Sequence, residues 1–136
     1  MKDVRNETWP ILGICQGIEV LGVIFGNDNI NTLSEIVIYG ESRPVHWEVQ
    51  DIRNQSKMFR TFPDYLKDQM GTQGLALHAH SFAISYETYE NTPSLKNDMI
   101  VTQTDILEEN GKKIKFVNAL ESKNYPIFSS MYHPEY

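Results

Sequence analysis

The stretch WPILGICQGIEVLGVIF, residues 9–25, decides how this chain begins to fold. Residues 9–14 form a short apolar run that predicts a buried strand, and residues 17–24 carry apolar positions at helical spacing. A cluster of turn-forming residues, 26–29, ends the predicted helix. A strand that passes at once into a helix is typical of α/β folds.

The only cysteine of the chain, Cys15, lies at this junction between Gly13 and Gly17. A tight strand–turn–helix junction exposes a nucleophile, and small neighbours allow the turn to form and a substrate to approach. The helix N-terminus favours a thiolate, and the N–H of Gln16 would point at a developing oxyanion. The alternative is that Cys15 is a small buried apolar residue, which is the usual role of a lone cysteine.

The remainder of the chain is rich in predicted strands. β-Branched and aromatic runs or alternating patterns predict strands at residues 36–39, 44–50, 75–85, 99–104, 114–120 and 127–132. Pro63 opens a short predicted helix over residues 64–69, and Asn110-Gly111 predicts a hairpin turn. Residues 91–98 are the best candidate for a loop. The whole chain, 1–136, is therefore predicted to be a single α/β domain with a strand-rich second half.

Composition excludes several classes of function. The chain has 136 residues and a formal net charge of −6, and its Lys and Arg residues do not cluster, which argues against nucleic-acid binding. One cysteine, without a CxxC or Cys/His spacing, predicts neither an internal disulfide nor a zinc site. No apolar run approaches the roughly 18 residues that a membrane span needs.

A second motif, His133-Pro134-Glu135, completes a possible catalytic group. The carboxylate of Glu135 can accept the imidazole N–H of His133 and leave the other ring nitrogen free to take a proton from Cys15. By itself the motif is weak, because it also suits a surface turn after a strand. Together with the cysteine junction it predicts a thiol hydrolase.

The chain resembles the class I glutamine amidotransferase superfamily in Gly13-Ile14-Cys15-Gln16-Gly17 and His133-Pro134-Glu135. Within that superfamily it is most similar to γ-glutamyl hydrolase, which trims folate polyglutamates. The narrower resemblance rests on Ser56-Lys57-Met58-Phe59 with Phe62-Pro63, on His80 with Phe82-Ala83-Ile84-Ser85, and on Glu121-Ser122-Lys123-Asn124-Tyr125-Pro126. It spans residues 9–136, nearly the whole chain.

The resemblance implies acyl transfer in which Cys15 is the nucleophile, His133 the base and Glu135 its orienter. It implies that Gln16 supplies one oxyanion N–H and that His80 hydrogen-bonds the substrate or polarises the site. The implied substrate is a small molecule with a γ-glutamyl bond, and no metal or organic cofactor is needed. The family resides in lysosomes or vacuoles or is secreted, although this chain shows no signal peptide.

The polyanionic substrate needs local positive charge, for which the candidates are Arg43, Lys57 and Arg60. Solvated surface charge is the alternative role of each. His78 and His46 are expected to be half-buried strand histidines without a catalytic role.

The chain departs from the family because the strands that precede the cysteine junction, with a glycine-rich turn that gives a second oxyanion donor, have no counterpart here. The fold is therefore expected to be a partial, flavodoxin-like sheet with an exposed edge and apolar face. A second polypeptide or self-association is expected to cover that face. One alternative to an active hydrolase is a truncated paralogue with a structural role in a larger assembly. A glutamine amidotransferase domain is the other, less favoured alternative.

Overall fold

The computed structural model describes residues 7–48 and 51–136, which form a mixed α/β fold. The strands are β1 (Ile11–Ile14), β2 (Ser34–Arg43), β3 (His46–Trp47), β4 (Ala76–Ala83), β5 (Met99–Glu109), β6 (Lys112–Ser122) and β7 (Ile127–Ser130). The helices are α1 (Gln16–Phe25), α2 (Ile52–Gln55), α3 (Asp64–Thr72), α4 (Tyr86–Glu90) and α5 (Pro93–Asp98), and a 3-10 turn covers Ile30–Thr32.

The strands of the described residues form two sheets. Five strands form a mixed sheet in the order β1-β7-β6-β5-β3, and β2 pairs with β4 in a separate two-stranded sheet. Among the described residues, β1 and β7 are the one parallel pair, and the other ladders are antiparallel. An isolated bridge between Leu77 of β4 and His133 links the two sheets. The predicted α/β class and the strand-rich second half are confirmed.

Apolar side chains form two clusters on opposite faces of the large sheet. Leu120 of β6 belongs to the larger cluster, together with Ile18 of α1 and Ile36 of β2. Its neighbour Ala119 belongs to the smaller cluster, together with Phe59. Because successive side chains of a strand point to opposite faces, the sheet separates the two clusters. The larger cluster fixes α1, and with it the junction before α1, against the sheet.

The predicted loop at residues 91–98 is wrong, because Pro93–Asp98 forms α5. Pro93 occupies the first turn of the helix, where its missing N–H costs nothing. Leu95 is completely buried and anchors this short helix in the core. The strand predicted over residues 44–50 is limited to His46–Trp47, and the last two positions of that prediction, 49 and 50, lie outside the described residues.

The hairpin turn predicted at Asn110-Gly111 is confirmed. Both residues have positive φ, 51° and 75°, as a two-residue hairpin turn that matches the strand twist requires. The strands that it joins are longer than their apolar segments predict. Glu108 faces Lys113 and Glu109 faces Lys112 across the ladder, and such opposite-charge pairs stabilise an antiparallel pair.

β1 lies at the end of the five-stranded sheet, so one of its edges has no strand beside it among the described residues. Leu12 of β1 is 55% exposed, and Val20 and Ile24 of α1 are 51% and 54% exposed. A groove of about 450 Å³ runs between β1 and α1 and includes Leu12 and Val20. The expected exposed edge and apolar face are therefore present at β1 and α1.

Candidate active site

Cys15 occupies a strained backbone position between β1 and α1. Its φ of 52° and ψ of −104° are unusual for a residue with a side chain, and such conformations cost about 1–3 kcal/mol. Its N–H donates to the carbonyl of Ser130 at 2.8 Å, which continues the β1–β7 pairing by one residue. Its carbonyl accepts from the N–H of Ile18 at 3.1 Å and starts the helix. This geometry is that of a nucleophile elbow.

The two glycines beside Cys15 serve different purposes. A Cβ on Gly13 would lie 2.8 Å from the Gly17 carbonyl carbon and 2.9 Å from Leu21, so Gly13 lets β1 approach the first turn of α1. A Cβ on Gly17 would meet no atom of the described residues within 4 Å. Close packing therefore requires the first glycine, and the second leaves open space beside the cysteine.

The surroundings of Cys15 favour the neutral thiol. Burial raises the pKa of the Cys15 thiol, the charges of Glu19 and Glu135 raise it further, and the N–H of Gln16 lowers it. The sulfur lies 3.6 Å from the carbonyl oxygen of Ala79, to which the S–H donates. The helix N-terminus thus lowers the pKa of the thiol through the Gln16 N–H, as predicted. Burial and the two carboxylates raise that pKa by more.

His133 and Glu135 form the pair that their spacing predicts. Nδ1 of His133 lies 2.7 Å from Oε1 of Glu135, and the imidazole lowers the pKa of the Glu135 carboxyl. Since an ionised carboxylate only accepts hydrogen bonds, Nδ1 carries the proton and Nε2 is left as an acceptor. The His133 side chain is 21% exposed, and the ring of Tyr136 lies 5.8 Å from its own.

One edge of β4 holds both His133 and Cys15. The carbonyl of Leu77 accepts the backbone N–H of His133 at 2.9 Å, and the carbonyl of Ala79 accepts the thiol of Cys15. Carbonyls two residues apart on a strand point to the same side, about 7 Å from each other. The end of β1, the turn after β7 and β4 therefore meet at one place. Sequence patterns give no sign of Leu77 or Ala79, because only their backbone atoms take part.

His80 is buried beneath this edge and has partners at both ring nitrogens. Nδ1 lies 2.9 Å from the carbonyl oxygen of Ile36, and Nε2 lies 3.0 Å from Nδ1 of His78. The exposed fraction of His80 is 3%, and that of His78 is 0%. In this arrangement His80 joins β4 to β2 through the Ile36 carbonyl, and its role toward a substrate stays a prediction. His78 is fully buried and not half-buried, and His46 is exposed on β3.

Two of the three basic residues considered for substrate binding are engaged elsewhere. Arg43 pairs with Asp105 at 2.6 Å and with Glu41 at 2.9 Å. Nζ of Lys57 donates to the carbonyls of Ser122 and Lys123. Arg60 is exposed. Within the described ranges, no three His, Cys, Asp or Glu side chains are grouped to hold a metal ion, and no helix there has the length and hydropathy of a membrane span.

Comparison with known proteins gives a consistent family. The family model "Glutamine amidotransferase class-I" matches residues 1–136. Rat "Gamma-glutamyl hydrolase" is 29% identical over 133 residues, which are 96% of this chain and 39% of that protein. "Gamma-glutamyl hydrolase 2" of Arabidopsis thaliana is 29% identical over 98% of this chain and 37% of that protein. The chain therefore spans about two fifths of the length of these curated relatives.

A solved structure gives the same fold. A Thermoplasma acidophilum protein described as a "putative gmp synthase subunit a protein" superposes with a TM-score of 0.57 at 18% identity. The similarity covers 98% of this chain and 51% of that one.

Proposed function

This chain belongs to the class I glutamine amidotransferase family, and from that premise we propose that it hydrolyses γ-glutamyl bonds with Cys15 as nucleophile. The observation that carries the proposal is the meeting of Cys15 and the His133–Glu135 pair at one edge of β4. The relatives named γ-glutamyl hydrolase support the choice of bond. A folate polyglutamate or another γ-glutamyl peptide is the proposed substrate.

The proposed reaction begins from the neutral thiol. Nε2 of His133 removes the proton from the Cys15 sulfur, and the thiolate attacks the γ-carbonyl carbon of the substrate. The oxygen of that carbonyl becomes an oxyanion, which the Gln16 N–H stabilises. His133 then gives its proton to the leaving amine as the carbon–nitrogen bond breaks. Water, deprotonated by His133, attacks the thioester and releases the γ-glutamyl part of the substrate with a free carboxyl group. The proton on His133 then returns to the sulfur and restores the thiol.

The hydrogen bond to Ala79 gives this mechanism a defined resting state. While the S–H donates to that carbonyl, the proton stays on sulfur and points away from a base. Transfer to His133 requires the thiol to rotate, which a substrate seated against the elbow would induce. Glu135 stabilises the imidazolium that forms, because its carboxylate already accepts the Nδ1 proton.

Hydrolysis can be tested with the purified 136-residue chain. Wild-type protein is expected to release glutamate from a γ-linked polyglutamate, and Cys15→Ala is expected to release none. His46→Ala, an exposed change on β3, is the matched control and should keep full activity. Brief incubation and acid quenching should show Cys15 carrying the γ-glutamyl part of the substrate by mass spectrometry. Folded wild-type protein that releases no glutamate would contradict the proposal.

Free glutamine separates this proposal from the amidotransferase alternative. A hydrolase of γ-glutamyl peptides should prefer the peptide over glutamine in kcat/KM. Ammonia release from glutamine with no cleavage of the peptide would support the alternative instead.

We also infer that a second polypeptide, or a second copy of this chain, covers the free edge of β1. Leu12, Val20 and Ile24 form an apolar surface beside that edge, and exposed strand edges commonly pair with another chain. Sedimentation velocity of the purified chain should show association that increases with concentration, and Leu12→Lys should weaken it. A monomer that binds no apolar dye at any concentration would contradict this inference.

A further inference from the structure

A pair of histidines, His78 and His80, lies buried behind the β4 edge that holds Cys15 and His133. The two rings approach edge to face, with centroids 5.2 Å apart. His80 Nε2 is 3.0 Å from His78 Nδ1, and His80 Nδ1 is 2.9 Å from the Ile36 carbonyl oxygen. Nε2 of His78 is buried and has no hydrogen-bond partner within residues 7–48 and 51–136. The proposed mechanism assigns His78 no role.

These contacts fix which nitrogen carries each proton. The Ile36 carbonyl can only accept, so Nδ1 of His80 carries a hydrogen. Nε2 of His80 lies 3.0 Å from Nδ1 of His78, and burial lowers the pKa of both imidazoles, which disfavours a charged ring. In the neutral His80 ring, Nε2 is an acceptor. Nδ1 of His78 must therefore donate to His80. The remaining nitrogen, His78 Nε2, is then a bare acceptor, which is less costly to bury unpaired than a charged group.

The bond from His80 to Ile36 lies where the ladder between β2 and β4 is irregular. The pairing of β2 with β4 shifts register between Glu35 and Ile38, and again between Tyr39 and Glu41. The short regular segment between these shifts pairs Ile38 with His80 and Tyr39 with Ala79. The imidazole of His80 thus bridges the strands at the first irregularity.

The opposite edge of β4 faces the active site, at Ala79 within this segment and at Leu77 just beyond the second shift, where β4 pairs with Ser42. Ala79 accepts the Cys15 thiol, and Leu77 accepts the N–H of His133. A change in the position or twist of this part of β4 therefore moves both acceptors together. The orientation of His80 is in turn fixed by its partner His78.

We propose that His78 is a positioning residue for the Cys15 site, acting through its Nδ1–H bond to His80 and the His80 bond to Ile36. The histidine pair holds β4 at its irregular junction with β2, so that the Ala79 and Leu77 carbonyls are aimed at Cys15 and His133. The catalytic purpose of this positioning rests on the proposed function. The hydrogen-bonded histidine pair itself is independent of that function.

Two substitutions at this site distinguish positioning from filling space. In His78→Asn, the amide nitrogen replaces Nδ1 and can still donate to His80. In His78→Gln, the amide reaches toward the Nε2 position and the donor at Nδ1 is lost. Both variants remove a buried ring, so both are expected to lose stability.

The first measurement uses wild-type protein labelled with ¹⁵N at histidine. NMR correlation of ring nitrogens with ring protons should show His78 and His80 as neutral Nδ1–H tautomers at pH 7. The Nε2–H tautomer or a charged ring at His80 would overturn the proposal, even if neither variant folds.

The second measurement is the rate at which iodoacetamide alkylates Cys15 as a function of pH. His78→Asn should keep the wild-type profile and the His80 tautomer, and His78→Gln should change both. If the protein hydrolyses γ-glutamyl peptides, kcat of His78→Gln should fall by on the order of 10²-fold, because a small displacement of reacting groups has that effect. Its KM should change much less.

The outcomes separate this inference from the proposed function. Equal wild-type-like profiles for both variants would overturn the positioning role. A chain that releases no glutamate, but in which His78→Gln alone alters the tautomer and the alkylation profile, would retain the positioning role and refute the hydrolase.

Discussion

At the scale of single residues, the charge that most affects Cys15 comes from Glu19, one turn along α1. Burial is the largest cause that raises the pKa of the Cys15 thiol, and the carboxylate of Glu19 is the next. Glu19 is itself partly buried, which raises the pKa of its own carboxyl. A helix N-terminus does not by itself make a reactive thiolate when a carboxylate stands in its first turn.

Glu19→Gln is therefore expected to lower the pKa of Cys15, because it removes a negative charge and leaves the shape of the side chain. The pH at which iodoacetamide alkylates Cys15 at half its maximal rate should move down, and the rate at pH 7 should rise. Glu109→Gln, an exposed change near the distant hairpin turn, is the control and should leave the profile unchanged. An unchanged profile in Glu19→Gln would contradict the electrostatic argument.

His78 gives the folded chain a defined sensitivity to acid. Burial, together with His80, Arg43 and His133 nearby, lowers the pKa of His78 from 6.5 to about 3. Between these two values the unfolded chain binds a proton that the folded chain does not. The free energy of unfolding therefore falls as pH falls through this window, by about 1.4 kcal/mol per pH unit for one proton.

Urea unfolding of wild-type protein and His78→Asn between pH 4 and 7 checks this expectation. The variant is less stable at pH 7, but its stability should depend on pH with a slope smaller by about one proton. If the free energies of unfolding of the two proteins changed equally with pH, His78 would bind protons equally in the folded and unfolded chain, which would contradict this expectation.

At the scale of elements, the junction of β1 and α1 depends on one glycine more than on the other. Gly13→Ala is expected to destabilise the protein by about 1–3 kcal/mol, because its methyl group would meet backbone atoms of Gly17. Gly17→Ala is expected to stabilise it by up to about 1 kcal/mol, because a helical glycine is replaced without a contact. The free energy of unfolding in urea measures both changes, and equal effects would contradict the packing argument.

At the scale of the whole molecule, a buried carboxylate ties the segment before α3 to β6. Glu121 is 3% exposed and accepts hydrogen bonds from the Ser56 hydroxyl at 2.7 Å, the Lys57 N–H at 3.0 Å and the Met58 N–H at 3.2 Å. The turn that follows places Phe59 in the smaller core cluster. The Ser-Lys-Met-Phe stretch, which contributes to the family resemblance, thus has a structural role in this fold.

Glu121→Gln should destabilise the protein by about 2–3 kcal/mol. Its amide N–H₂ would face hydroxyl and N–H groups from which the carboxylate now accepts hydrogen bonds. Glu35→Gln, an exposed change on β2 opposite Phe82, should change stability by less than about 0.5 kcal/mol, as exposed substitutions usually do. Urea unfolding compares the two. A loss in Glu121→Gln no larger than in the control would show that water replaces the missing acceptor.

Features of the fold that depend on neighbouring residues could be predicted from the sequence, and features that depend on distant residues could not. The elbow at Cys15 and the turn at Asn110-Gly111 follow from neighbouring residues, and both are present. Helix α5 could not be predicted, because burial of Leu95 by distant strands stabilises a polar segment. The contact between Cys15 and Ala79 could not be predicted either, because it joins a side chain to a distant backbone carbonyl.

The parallel pairing of β1 with β7 has a consequence for how the protein matures. Ile11 pairs with Ile127, so the elbow gains its neighbouring strand only when two segments far apart in the chain meet. Such contacts form slowly, because a long loop must close first. During synthesis Cys15 emerges well before His133. A ribosome-bound chain would therefore carry Cys15 without its proposed base until translation had passed His133.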